Sequence, residues 1–94
     1  MPSTKVERQY EARDACLKRA VSHSEDQESD PIERGRAFAR SCRIEIDRLI
    51  ATVDPHGDPL VASAIMEDSV RRAARFDLEI GTIGSPTTAH RTLN

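Results

Sequence analysis

Apolar residues recur along this chain at three- and four-residue steps, and breaks in that pattern divide it into three helical segments. The first runs from about residue 3 to 22. Val6, Tyr10, Leu17 and Val21 fall within about 60° of one another at 100° per residue, but Arg13 and Asp14 interrupt the stripe halfway. Residues 22–29, Ser-His-Ser-Glu-Asp-Gln-Glu-Ser, contain no apolar side chain and read as an acidic, mobile linker. The second helix spans 31–53. It opens on Asp30 as a cap, Pro31 at the first helical position and Glu33 in a capping-box-like place. Its core stripe is Ile32, Gly35, Phe38/Ala39, Cys42, Ile46, Leu49/Ile50 and Val53. Asp54-Pro-His-Gly57 stops it, and Asp58-Pro59 starts a third helix that runs to about residue 79. There Val61, Ala62, Ile65, Met66, Val70, Ala73, Phe76 and Ile80 cover an arc of about 180°, wide enough to touch two neighbours. Gly81-Thr-Ile-Gly-Ser-Pro86 is expected to end the helix, leaving 81–94 as a disordered tail. No segment alternates with the period of a strand.

The pattern therefore predicts one all-α domain over residues 1–80, built as a helical hairpin plus a third helix. Composition adds a constraint. Leu, Ile, Val and Phe total only 19 of 94 residues, and 11 more are Ala. A core this thin in a chain this short is marginal, which favours an antiparallel homodimer that completes a four-helix bundle. The same thinness argues against an enzyme, because a deep pocket needs walls. No apolar run is long enough to cross a membrane, and the opening residues lack the apolar stretch of a signal peptide. With only two cysteines, both read as packed thiols, the expected setting is a soluble, reduced cytoplasm.

Candidate chemistry is sparse. Cys16, Cys42, His23, His56 and His90 show no Cys-x-x-Cys or His-x-x-x-His spacing, so no metal, cofactor or nucleophile pair is assigned. The charge distribution says more. The formal net charge is -2, yet residues 25–33 hold five acids and no base, whereas 34–53 hold five arginines against two acids. Arg36, Arg40 and Arg43 form a ridge, and Arg43 is spaced to pair with Asp47. Arg34, Ala37, Ser41, Ile44, Arg48, Ala51 and Thr52 form a second strip opposite the core stripe. Small residues between arginines, with hydroxyls at Ser41 and Thr52, suit a sugar-phosphate backbone. A solvated face, or a face for a protein partner, is the competing reading.

The chain also resembles the small double-stranded-RNA-binding silencing suppressors of insect nodaviruses. The similarity covers residues 1–85 in layout and short runs: the opening Met-Pro-Ser, a first helix of similar length, and a linker ending in Pro31. It extends to Asp47-Arg48-Leu-Ile-Ala-Thr52-Val, to Pro59-Leu-Val-Ala-Ser-Ala-Ile65 and to Gly84-Ser-Pro. The resemblance implies an antiparallel helical homodimer lying on one face of an RNA duplex. It implies sequence-independent binding that shields the RNA from the host dicing nuclease, with host silencing proteins as further partners. Arg48 is the best-matched contact, with Arg34 and Ser41 on the same strip. Glu45 and Ser41 depart from the family's basic pattern, and the region between the second and third helices is shorter. The candidate RNA-binding set is thus Arg34, Arg36, Arg40, Ser41, Arg43, Arg48 and Thr52, with strip and ridge as alternative surfaces. A small helical adaptor or inhibitor that binds a protein is the alternative function.

Overall fold

The computed structural model describes residues 4–24 and 30–83 of the chain, with side chains through residue 80. They form four helices and, among the described residues, no strand: α1 Lys5–Ser22, α2 Pro31–Ser41, α3 Arg43–Val53 and α4 Pro59–Ile83. No helix among them is long and apolar enough to cross a membrane. Most of the expected acidic linker, residues 25–29, and of the expected tail, 84–94, lies outside the described residues.

Each start has a local cause. Thr4 caps α1 with a reciprocal capping box: its hydroxyl accepts from the Glu7 N–H at 3.0 Å, and the Glu7 carboxylate accepts from the Thr4 N–H at 2.8 Å. The expected start at residue 3 therefore moves inward. The Asp30 carboxylate accepts from the Ile32 N–H at 3.0 Å, as its position before Pro31 predicts. Glu33 turns forward to Arg36 instead of back to the cap. Asp58 caps α4 in the same way, accepting from the Leu60 N–H at 2.9 Å. In the turn before it, the Asp54 carboxylate accepts from the Asp58 N–H, and Gly57 takes a left-handed φ of 83°. At its other end α4 passes through Gly81 to Ile83, beyond the expected stop at 79.

The expected single helix over 31–53 is divided at Cys42, whose φ and ψ of -108° and 28° leave the α-helical region. Hydrogen bonds bridge the break: the Cys42 N–H reaches the carbonyls of Phe38 and Ala39, and the Cys42 carbonyl accepts from Ile46. At this break Cys42 is joined to Cys16 of α1 in a disulfide, with Cα atoms 5.9 Å apart. The expectation of two separate packed thiols is thus corrected, and a reducing compartment no longer follows from the cysteines. Closing a loop of 26 residues restricts the unfolded chain by about 3.5 kcal/mol in the loop-entropy account.

α4 is the long strut of the fold and lies along both α2 and α1, so its broad apolar arc does meet two neighbours. Leu17, Val21, Phe38, Ala39, Ile46, Leu49, Ile65, Ala73 and Phe76 form the core. Ile32 and Val53, at the two ends of the expected second-helix stripe, stay substantially exposed. At Gly35 α2 comes close to α4: a Cβ there would stand 2.6 Å from the Val70 carbonyl oxygen.

Arg13, read as a polar interruption of α1, is instead fully buried. Its Nε donates to Asp14 Oδ1 at 3.0 Å. Nη1 donates to Asp68 Oδ2 at 2.8 Å and to Ser69 Oγ at 3.2 Å. Ser69 in turn donates to the Ile65 carbonyl at 2.7 Å. Nη2 stands 2.9 Å from Asp14 Oδ1 but off the line of its N–H bonds, so there it contributes charge and no hydrogen bond. The Tyr10 ring covers the guanidinium at 5.1 Å. Arg72 lies 3.7 Å from Asp14 and 3.9 Å from Asp68 and offsets the paired acids. At helical spacing, position 13 completes the step from Val6 and Tyr10 to Leu17. The stripe is continuous, with a charge in its middle.

Two outcomes follow for stability, each readable by urea and thermal unfolding. Gly35→Ala gains helix propensity of about 0.5–1 kcal/mol but drives a methyl into backbone, which typically costs about 1–3 kcal/mol. A net loss is expected, and a variant more stable than wild type would refute the close approach. Removing both anions with Asp14→Asn and Asp68→Asn strands a buried cation, at a cost of about 3–5 kcal/mol. Arg13→Met should be much milder, because the two carboxylates reach water and keep Arg72. Equal losses would show that Arg13 is not buried.

Candidate nucleic-acid interface

The seven residues singled out on the middle helix divide by what their side chains already hold. Arg34 is drawn inward. Its Nε and Nη2 donate to the two oxygens of Asp77 on α4, at 2.7 and 2.9 Å, a fork that both residues make while only 15% and 17% exposed. The guanidinium also covers the Phe38 ring at 5.4 Å. Arg34 therefore joins α2 to α4, and the expected strip loses its first cation to the fold.

Arg36 and Arg43 remain on the surface in local pairs. Arg36 reaches Glu33 at 2.7 Å, and Arg43 pairs with Asp47 at 3.0 Å, as its four-residue spacing predicts. Both pairs are exposed, so they hold their arginines weakly and exchange readily with another anion. Ser41 and Thr52 were expected to offer hydroxyl protons. Each instead donates within its own helix, Ser41 to the Ala37 carbonyl at 3.2 Å and Thr52 to the Arg48 carbonyl at 2.8 Å. Their oxygens keep only acceptor capacity.

Arg40 and Arg48 differ from the other three arginines. Both are exposed, and among the described residues neither lies within ion-pair distance of an acid. Asp47, the acid next to Arg48 in sequence, pairs with Arg43 instead, and among the described residues Glu45 makes no ion pair. Around them Ala37, Ser41 and Ala51 are exposed and short, and Ile44 stands exposed between them, so an elongated ligand can approach the helix backbone beside one apolar side chain. The break at Cys42 falls between the two arginines and belongs to α1 through the disulfide, which fixes how the Arg40 half and the Arg48 half are set.

Beside Arg40 and Ser41 the surface is concave. An open-sided hollow of about 600 Å³ lies between α2 and the end of α1, with His23 and Ala20 on its α1 side. Sequence reasoning placed His23 in a linker. The structure puts it at the C-cap of α1, where its backbone N–H donates to the Arg19 carbonyl and the residue lines the hollow. No spacing along the chain relates residue 23 to residues 37–41, because only the packing of α1 on α2 brings them together.

One grouping of metal-ligating types occurs among the described residues: Cys16, Cys42 and Glu45 place a ligand atom each within 4.8 Å of the others. The two sulfurs are bonded to each other and offer no thiolate, which is the form that binds metal. Compared with protein-family models, curated proteins and solved structures, the chain matches none of them. The likeness to nodaviral suppressors rests on the residues quoted for it.

The different loads on these arginines can be separated by mutation. Arg34→Ala should lower stability by about 1.5–3 kcal/mol, the usual range for a charged hydrogen-bonded pair. Arg48→Ala should leave it within about 0.5 kcal/mol, as surface changes do. Chemical denaturation of both variants checks this; equal effects would remove the distinction.

Proposed function

We propose that this protein binds double-stranded RNA without regard to sequence, as a homodimer, and by covering the duplex suppresses RNA silencing. The observation that carries the reading is the exposed face of α2 and α3. There, among the described residues, Arg40 and Arg48 stand without acidic partners on either side of the exposed Ile44, while Arg36 and Arg43 are held only by weak surface pairs. Arginines presented in this way meet phosphate oxygens through a planar fork of donors. The short side chains of Ala37, Ser41 and Ala51 beside them let a sugar-phosphate ridge lie close. Shape and 2′-hydroxyls are what a protein can read on A-form RNA from outside, so such a face needs no base contacts. The resemblance of Asp47–Val53 and Pro59–Ile65 to the nodaviral suppressors supports the same reading and supplies the dimer. Two antiparallel copies would place two Arg40–Arg48 faces in one row.

A gel shift with a perfectly paired RNA duplex and its DNA counterpart tests the reading. RNA should bind the more tightly, and its affinity should fall steeply as salt rises, because released counterions drive such binding. Arg48→Ala should weaken RNA binding about a hundredfold or more if each copy loses a contact of about 1.5–3 kcal/mol. The loss should be alike for different RNA sequences and come with a shallower salt slope. Arg75→Ala, exposed on α4, is the charge-matched control; Arg72 is unsuitable because it belongs to the Arg13 cluster. No shift at micromolar protein in low salt would leave the protein-binding adaptor as the reading. Sedimentation at 10.5 kDa under binding conditions would retain the RNA face and discard the dimer.

A further inference from the structure

The other flank of α2, where it lies along α4, carries a groove of different chemistry. Two adjoining hollows of about 490 and 270 Å³ share Arg36, Met66 and Val70. The floor is apolar: Ile32 and Ala39 come from α2, and Met66 and Val70 from α4. The close approach at Gly35 holds Val70 against α2 and closes that floor. The walls are cationic. Arg36, Arg40 and Arg43 line one side and Arg71 the other, against one lining acid, Glu67, which sits 3.6 Å from Arg71.

An occupant must satisfy both parts. A duplex backbone answers the arginines but brings no apolar ridge to Ile32, Met66 and Val70. An apolar helix would fill the floor but give no partner to Arg40 and none to Arg36, Arg43 and Arg71 beyond their exposed, readily exchanged pairs with Glu33, Asp47 and Glu67. A helix with an apolar row at three- and four-residue steps and acids on its flanks matches both. From Ile32 to Arg43 the groove runs about 17 Å, or three helical turns. We propose that the α2–α4 groove binds an acidic amphipathic helix of a protein partner. The groove shares Arg36, Arg40 and Arg43 with the proposed RNA face, but the proposal does not require RNA binding, since its apolar floor lies off that face and Arg48 lies outside the groove.

Fluorescence anisotropy on the full chain tests it with three dye-labelled 14-residue helical peptides. One carries leucines in a single row with glutamates beside them. The second has the same composition with the leucines scattered around the helix. The third replaces each glutamate by lysine. The first should bind at micromolar concentration, about tenfold or more tighter than either of the others. Ile32→Glu and Ser63→Glu place an acid on the floor and the rim at exposed positions, so the fold should persist, as circular dichroism would verify. Each should weaken the first peptide about tenfold or more, whereas Arg75→Ala should not. Equal binding of the row and scattered peptides would overturn the proposal in favour of charge attraction alone. Unchanged binding by both groove variants would place the peptide elsewhere. If those variants lost duplex RNA while the wild type bound none of the peptides, the groove would belong to RNA and the proposal would fail.

Discussion

One buried charge governs how α1 and α4 are set against each other. Arg13 has no exposed surface, so it must bring its counter-ions with it, and they come from two helices. Asp14 is its chain neighbour and constrains little. Asp68 and Ser69 lie on α4, and their hydrogen bonds to one guanidinium fix the register of α1 against α4 to within a fraction of a turn. A thin apolar core can be packed in several sliding positions at similar cost, whereas a guanidinium cannot be left unpaired in it. A polar device thus supplies the uniqueness that so few large side chains cannot. From α4 the order passes outward: Gly35 sets the separation of α2, and Arg34 with Asp77 ties the two helices further along.

The sequence made the local features plain because their causes are local. Asp30-Pro31 and Asp58-Pro59 act within three residues of themselves, and the core faces of Ile46, Leu49 and Ile65 follow from periodicity alone. Arg13 was misread since a stripe drawn by hydropathy has no place for a residue whose partners lie 55 and 56 positions away. The disulfide hid for the same reason. Cys16 and Cys42 each sat on or beside an apolar face, and only the packing of α1 on the α2–α3 junction shows that the faces meet there. The division at Cys42 lacks the glycine or proline that usually marks one.

The arginines show the same division between near and far. Arg43 with Asp47 is legible at four residues. Arg34 with Asp77 spans 43 and is not. Even spacing made the strip look uniform, but folding sorts it by depth. Its first cation braces the interior, its hydroxyls satisfy their own helix, and its remaining charge is Arg48, which stands like Arg40 of the ridge without an acid among the described residues. Arg40 stands on the crest of α2 between two unlike flanks, one open beside α1 and one grooved beside α4. A side chain of that length can serve either flank.

The Cys16–Cys42 bond also changes what the molecule is as a topological object. The backbone from residue 16 to residue 42 and the two sulfurs form a closed covalent ring, with α3 and α4 as one arm and most of α1 as the other. Any single peptide bond inside the ring can be cut without dividing the molecule, including every bond of the acidic stretch. A chain nicked there would gain only the mass of one water and would part into two pieces only after reduction.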